Sequence, residues 1–147
     1  MKKGIILILF SLFVFSCTSQ EEKSPELVKA LIDNNIIPRG QIHKIENEYR
    51  LDYYDVYEKD SHMEFLKNKG YQSGGASWSG IIYGAIKLSD DKILTQIRFD
   101  DEAEGIAIWS KNRKCLEKVS RLISVVKSDN KLLLKCISIA NKNWKME

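Results

Sequence analysis

The sequence predicts an α+β domain: a small antiparallel sheet of two hairpins covered by helices, in the order α-β-β-α-α-β-β-α-α. Two observations point there. Apolar residues recur at helical spacing in several separate segments, while short strand-like runs fall in two pairs, 41–57 and 96–110. Each pair closes on a short polar turn, the signature of an antiparallel hairpin. Strands met in pairs between helices form a sheet that helices then cover.

The elements follow in order. Ser24-Pro25 is an N-cap with proline at the first helical position. Leu27, Val28, Leu31 and Ile32 continue that helix, which is expected to stop near Asn34-Asn35. Strands are expected at 41–46 and 49–57, turning at Asn47-Glu48. In the second, Tyr49, Leu51, Tyr53 and Tyr57 share a face that Asp55 interrupts. Ser61 caps a helix holding Met63, Phe65 and Leu66 and ended by Gly70. Residues 71–78 form an irregular loop, with positive φ expected at Gly74 or Gly75. Ser77 is expected to cap a helix from Trp78 to about Lys87, whose Gly80, Gly84 and Ala85 would let it lie close to a sheet. Strands at 96–99 and 105–110 pair across an acidic turn at 100–104. Asn112 opens a helix through Val126 with a stripe of Cys115, Leu116, Val119, Leu122, Ile123 and Val126. Ser128-Asp129 breaks it, and a last helix runs to about Asn141.

The start of the chain stands apart. Lys2 and Lys3 precede a twelve-residue stretch, 4–15, whose one polar side chain is Ser11. A bilayer takes ~20 apolar residues, so this is an export signal rather than a comfortable span. Val14-Phe15-Ser16-Cys17 resembles the lipobox of bacterial lipoproteins, although Phe15 is bulkier than the usual spacer. That resemblance implies a signal peptide over 1–16, lipidation of Cys17, and a cell-envelope location on a membrane whose face is unresolved. Residues 17–24 then read as a polar tether and 25–147 as one domain.

The 147 residues are 44% hydrophobic and 29% charged, as suits one globular domain. A formal charge of +3 gives no case for nucleic acid. The charge is uneven: residues 46–104 hold 13 acids and 7 bases, whereas 111–147 hold 10 bases and 3 acids. His43 and His62 lack metal-ligand spacing, and neither a nucleophile elbow nor a phosphate loop occurs, so neither an enzyme nor a cofactor is expected. Asp100, Asp101, Glu102 and Glu104 lack the alternation of a calcium loop and read as a solvated turn. If the last two helices form a hairpin, Cys115 and Cys136 lie roughly 9 Å apart along it, too far for a disulfide, which needs Cα atoms within about 7 Å. Both read as small buried side chains.

What remains is an acid-rich middle with tyrosine and tryptophan, a suitable surface for a basic protein partner. The candidate contacts are Glu46, Glu48, Asp55, Glu58, Asp100, Asp101, Glu102 and Glu104. The plainer alternative is that Tyr53, Trp78 and Trp109 are core and the acids merely solvate the surface.

From Phe65 to about Asn141 the chain resembles the immunity proteins of bacterial polymorphic toxin systems, immunity family fifty-one. Gly70-Tyr71 with the run from Ser73 through Gly75 to Trp78 matches that family's aromatic step, glycine-rich turn and helix-opening tryptophan. Phe99-Asp100-Asp-Glu102-Ala-Glu104-Gly105 is similar to its hairpin, with Asp101 where proline is common and Glu104 before the glycine. A short strand, a long amphipathic helix and a leucine-rich helix follow. The resemblance implies an α+β fold and a protein that binds and neutralises a cognate toxin. It implies structural roles for Gly75, Trp78, Phe99 and Gly105. Two other readings stay open: a lipoprotein inhibitor of a basic envelope enzyme such as a muramidase, and a small-ligand-binding accessory lipoprotein.

Overall fold

A computed structural model describes residues 22–143 and residue 146. The export signal, Cys17 and most of the tether lie outside the described residues. By Lys23 the chain already belongs to the fold. The Ser24 backbone N–H donates to the Leu88 carbonyl at 2.8 Å, and the Lys23 ammonium meets Asp91.

The expected order holds, with two added 3₁₀ turns. It runs α1 (Pro25–Ala30), β1 (Gln41–Ile45), β2 (Glu48–Tyr53), α2 (Met63–Asn68), α3 (Gly75–Lys87), β3 (Arg98–Asp101), β4 (Ile106–Ser110), α4 (Arg113–Ser128) and α5 (Asn130–Asn143). The 3₁₀ turns are Asp55–Tyr57 and Asp91–Thr95. The strands form one open antiparallel sheet in the order β1-β2-β4-β3, so the two hairpins join through β2 and β4.

Period-two alternation decides the two faces. Leu51 and Tyr53 of β2 and Ile106 and Ile108 of β4 point to one side and are buried. Phe99 on β3 sits opposite Ile108 and packs against the same core. α3 and α4 cover this side, α5 packs on both helices, and α1 rests on α4. Trp78 is fully buried with its ring edge-on to Tyr53 at 5.0 Å, so the tryptophan of the family motif is core. Its indole Nε1 has no hydrogen-bond partner among the described residues.

Several expectations needed correction. α1 ends at Ala30, and Val28 and Ile32 are exposed rather than part of the buried stripe. The first hairpin turns at Glu46-Asn47, with φ of 52° at Glu46. The second strand ends at Tyr53, because the chain coils into the 3₁₀ turn that buries Asp55. α3 starts at Gly75, three residues early, and Ser77 is inside it, accepting from the Ser73 backbone N–H. In this loop positive φ falls on Ser73, not on Gly74 or Gly75. Gly75 is needed for close approach, since a Cβ there would stand 2.2 Å from the Gly105 carbonyl oxygen. Gly84 approaches a helix, not the sheet: a Cβ would lie 2.1 Å from the Cys136 carbonyl oxygen of α5. The acidic turn begins at Glu102, because Asp100 and Asp101 belong to β3. Cys115 and Cys136 are both free and buried.

Candidate protein-binding surface

The second face of the sheet bears the side chains that alternate with the core set, and they are half-buried to exposed except for Ala107. Strand register lines them up in rows across all four strands. His43, Arg50, Trp109 and Arg98 are successive cross-strand partners. One row along stand Gln41, Asp52, Ala107 and Asp100. Facing side chains in such rows lie close enough to interact.

Trp109 is the centre of the first row. The Arg50 guanidinium lies 5.4 Å from its ring centroid and that of Arg98 lies 5.3 Å away. Its indole N–H donates to Asp100 at 3.2 Å. Two cations over one ring hold a large apolar plane at the surface, each contact being worth ~0.5–1 kcal/mol at exposed sites. The arginines are held in turn by carboxylates. Arg50 donates to Asp52 at 2.6 Å and to Glu102 at 2.7 Å, while Arg98 pairs with Glu48 at 3.7 Å.

A tyrosine pair extends the face at one end. The Tyr54 and Tyr57 rings lie 5.9 Å apart; Tyr54 donates to Glu102 at 3.1 Å, and Tyr57 donates to Glu104. The Glu104 carboxylate pushes the Tyr57 phenol above its ordinary range. With Gln41, His43, Arg50 and Asp52 these rings line an open cleft of about 600 Å³. The acidic turn is set by α3. The Gly75 N–H donates to the Glu102 carbonyl at 3.0 Å, and the Glu102 N–H donates to Gly105. The positive end of a 13-residue helix therefore faces a turn carrying two carboxylates. Gly105 has no room for a side chain, because a Cβ would meet the Tyr54 ring.

The sequence-derived contact residues divide accordingly. Glu48, Asp100, Glu102 and Glu104 gather on or beside this face. Glu46 is exposed at the tip of the first hairpin. Asp101 points to the helical side, where the Ser79 hydroxyl donates to it at 3.2 Å. Asp55 does not reach the surface and leaves the contact set. It accepts from Lys127 and from the His62 backbone N–H at 2.8 Å, and both charged side chains are fully buried. Glu58 is half-buried in the same network, 2.9 Å from Lys127 and paired with Arg39. Arg39 in turn grips Asp60 through two nitrogens and holds that carboxyl well below the ordinary range.

Arg50, Asp52, Tyr54, Tyr57, Arg98 and Trp109 are not among the sequence-derived candidates, yet they lie on or beside this face. A signal existed: Glu48, Arg50 and Asp52 alternate with Tyr49, Leu51 and Tyr53, so the polar set had to share the other face. On that face and its rim five carboxylates (Glu48, Asp52, Asp100, Glu102, Glu104) outnumber two guanidiniums, Arg50 and Arg98.

Comparison with known proteins gives one finding. A family model described as immunity protein 51 matches residues 42–142, from β1 into α5. No curated protein and no solved structure matches the chain.

Proposed function

The chain belongs to the immunity protein 51 family, and on that premise we propose that it is a membrane-anchored immunity protein that binds and occludes a cognate bacterial toxin. The open sheet face is the proposed contact surface. The observation that carries this is Trp109 held between Arg50 and Arg98 within an acidic rim. Anchors of this kind dominate binding energy, and aromatic and arginine side chains lead among them.

Size decides how far the surface extends. Four strands about five residues long, at ~3.3 Å per residue and ~4.8 Å between strands, span only about 300 Å². A standard interface covers ~800 Å² on each partner. The tyrosine pair, the 102–105 turn and the first hairpin tip therefore belong to the contact as well. The excess of carboxylates fits a toxin that is basic where it docks, since opposite potentials speed encounter and set orientation. Lipidation at Cys17 would hold the protein at the cell envelope, where the toxin arrives or acts. The anchored domain acts by binding and needs no cofactor.

The test is titration of the purified protein into the toxin encoded beside it, followed calorimetrically and by loss of toxin activity. We expect a one-to-one complex weakened by salt and by Trp109→Ala. A complex indifferent to every open-face substitution would remove this surface from the reading. The same acidic rim also fits inhibition of a basic envelope enzyme, so a muramidase titrated in parallel separates the two: inhibition there, with no response of the toxin, favours that alternative.

A further inference from the structure

The helical side carries an apolar feature that binding through the open sheet leaves unused. Ile32 and Ile37 are the most exposed large hydrophobic side chains among the described residues, at 77% and 83% exposure, and Val28 lies one helical turn before Ile32. They do not sit on a loose loop. Arg121 of α4 donates to the Ala30 and Leu31 carbonyls at 2.9 and 2.8 Å, and the Ser124 hydroxyl donates to the Ile37 carbonyl at 2.7 Å. The backbone is thus pinned to α4 while the aliphatic side chains face water. Lys29, with its side chain 77% exposed, follows Val28 and pairs with Asp33 at 3.9 Å.

We propose that Val28, Ile32 and Ile37 dock this edge of the domain into the interface of the bilayer that carries the anchor, a step resting on the proposed lipidation of Cys17. Chain length brings the surface within reach. Five residues, 18–22, separate Cys17 from Lys23, whose ammonium meets Asp91. Even fully extended, the six steps from 17 to 23 cover only about 20 Å. Ile32 follows Ser24 by eight residues, about 12 Å at helical rise. Val28 and Ile32 are therefore no farther from Ser24 than a tether length, and Ile37 follows five residues on. Aliphatic side chains suit the boundary between acyl chains and headgroups. α1 rests on α4, on the core side of the sheet, so docking here leaves the open face uncovered and free for toxin.

The experiment uses the full chain, exported and processed by a lipoprotein-producing bacterium. It is reconstituted on vesicles of phosphatidylethanolamine and phosphatidylglycerol. Nitroxide labels are placed by Ile32→Cys, by Ile37→Cys and, as a reference on the open-face side, by Tyr57→Cys. Cys115 and Cys136 are buried and stay unlabelled. Flotation reports the anchor; collision with a water-soluble paramagnetic reagent reports depth. We expect the protein to float and collisions at 32 and 37 to fall several-fold on vesicles, while the label at 57 is unchanged. Adding Glu through the partner change, Ile37→Glu with the label at 32 or Ile32→Glu with the label at 37, should restore access. A floating protein whose labels at 32 and 37 stay as open as that at 57 overturns the docking and leaves the anchor standing. Shielding that appears without vesicles and grows with protein concentration assigns the patch to a second copy, and shielding that needs added toxin assigns it to the toxin; either result overturns the proposal. Failure to float shows that the anchor itself is absent, and the docking falls with it.

Discussion

Lys127 near the end of α4 and Asp55 in the turn after β2 form an ion pair in which neither side chain has any solvent exposure. The Lys127 ammonium also lies 5.8 Å from the centre of the buried Trp78 ring. Removing one member of such a pair strands the other charge in the interior. Lys127→Ala should therefore lower unfolding free energy by about 3–5 kcal/mol. The double change Lys127→Met with Asp55→Asn should cost clearly less than the sum of its single changes. Urea denaturation of the four proteins checks this, and simple additivity would contradict the pairing.

Acid should act on two further carboxylates, one of them beside the same lysine, since Asp60 lies 3.3 Å from the Lys127 ammonium. Lys23 and Lys87 hold the Asp91 carboxyl down at about 2, and Arg39 holds that of Asp60 well below its ordinary range. A depressed folded-state pKa contributes stability above the unfolded value of about 3.9, and that contribution is lost as pH falls toward the folded one. Stability should accordingly decline between about pH 4 and pH 2. Both carboxylates are about half exposed, so solvent screening keeps each contribution small. Asp91→Asn should flatten its share of that decline in chemical denaturation; an unchanged slope would exclude the Lys23–Asp91 tie.

Gly84→Ala is a test of helix packing. The added methyl would stand 2.1 Å from the Cys136 carbonyl oxygen and 2.7 Å from its carbon, both backbone atoms that cannot swing away. α3 and α5 would have to part. Overpacking of this kind costs typically ~1–3 kcal/mol, against the few tenths to 1 kcal/mol that alanine gains over glycine in a helix. A lowered melting temperature is expected, and a raised one would show that the two helices have slack between them.

Trp109→Ala should separate binding from folding. Its ring is half exposed on the open face and outside the core, so stability should fall by only about 1–2 kcal/mol, the worth of its two cation contacts. If the face is the toxin contact, affinity should fall by about 2 kcal/mol or more, roughly thirtyfold in Kd. Trp78→Ala supplies the contrast: its fully buried ring should cost about 3–5 kcal/mol of stability. Equal effects of the two changes on melting would contradict the division between core and surface.

Burial pushes the Cys136 thiol up to about 12 and raises that of Cys115 as well. Only thiolate reacts readily with alkylating reagents. In the folded protein at mildly alkaline pH both residues should resist iodoacetamide, and both should be modified once urea is added. Mass spectrometry reads the count, and rapid labelling without denaturant would show that α5 opens.

The fold was largely legible because its elements announce themselves. The α4 stripe repeats over several turns behind the Asn112 cap, and each hairpin has a polar turn. Boundaries failed where the decisive partner is distant in sequence. Nothing near Gly75 says that the Glu102 carbonyl will take its N–H and start α3 early. Nothing near Asp55 says that Lys127 will come to bury it. The open sheet face, the proposed contact surface, was half visible. Acid counting found Asp100, Glu102 and Glu104 but passed over Arg50, Arg98 and Trp109, which only strand register brings into one row.

The strand order also sets a timetable. Ile45 and Glu48 pair across two residues, and Asp101 pairs with Ile106 across a short turn. The seam between the hairpins joins Tyr53 to Ile106, with all of α2 and α3 in between. Short hairpins close in roughly microseconds, but a long loop must pay its closure entropy before distant contacts reward it. The two hairpins should thus form early, and the meeting of β2 with β4 should be the slow step. Substitutions along that seam should retard refolding, and those in the outer strands should mainly quicken unfolding. A chain exported before it folds, as proposed above, would spend that interval with its future core uncovered.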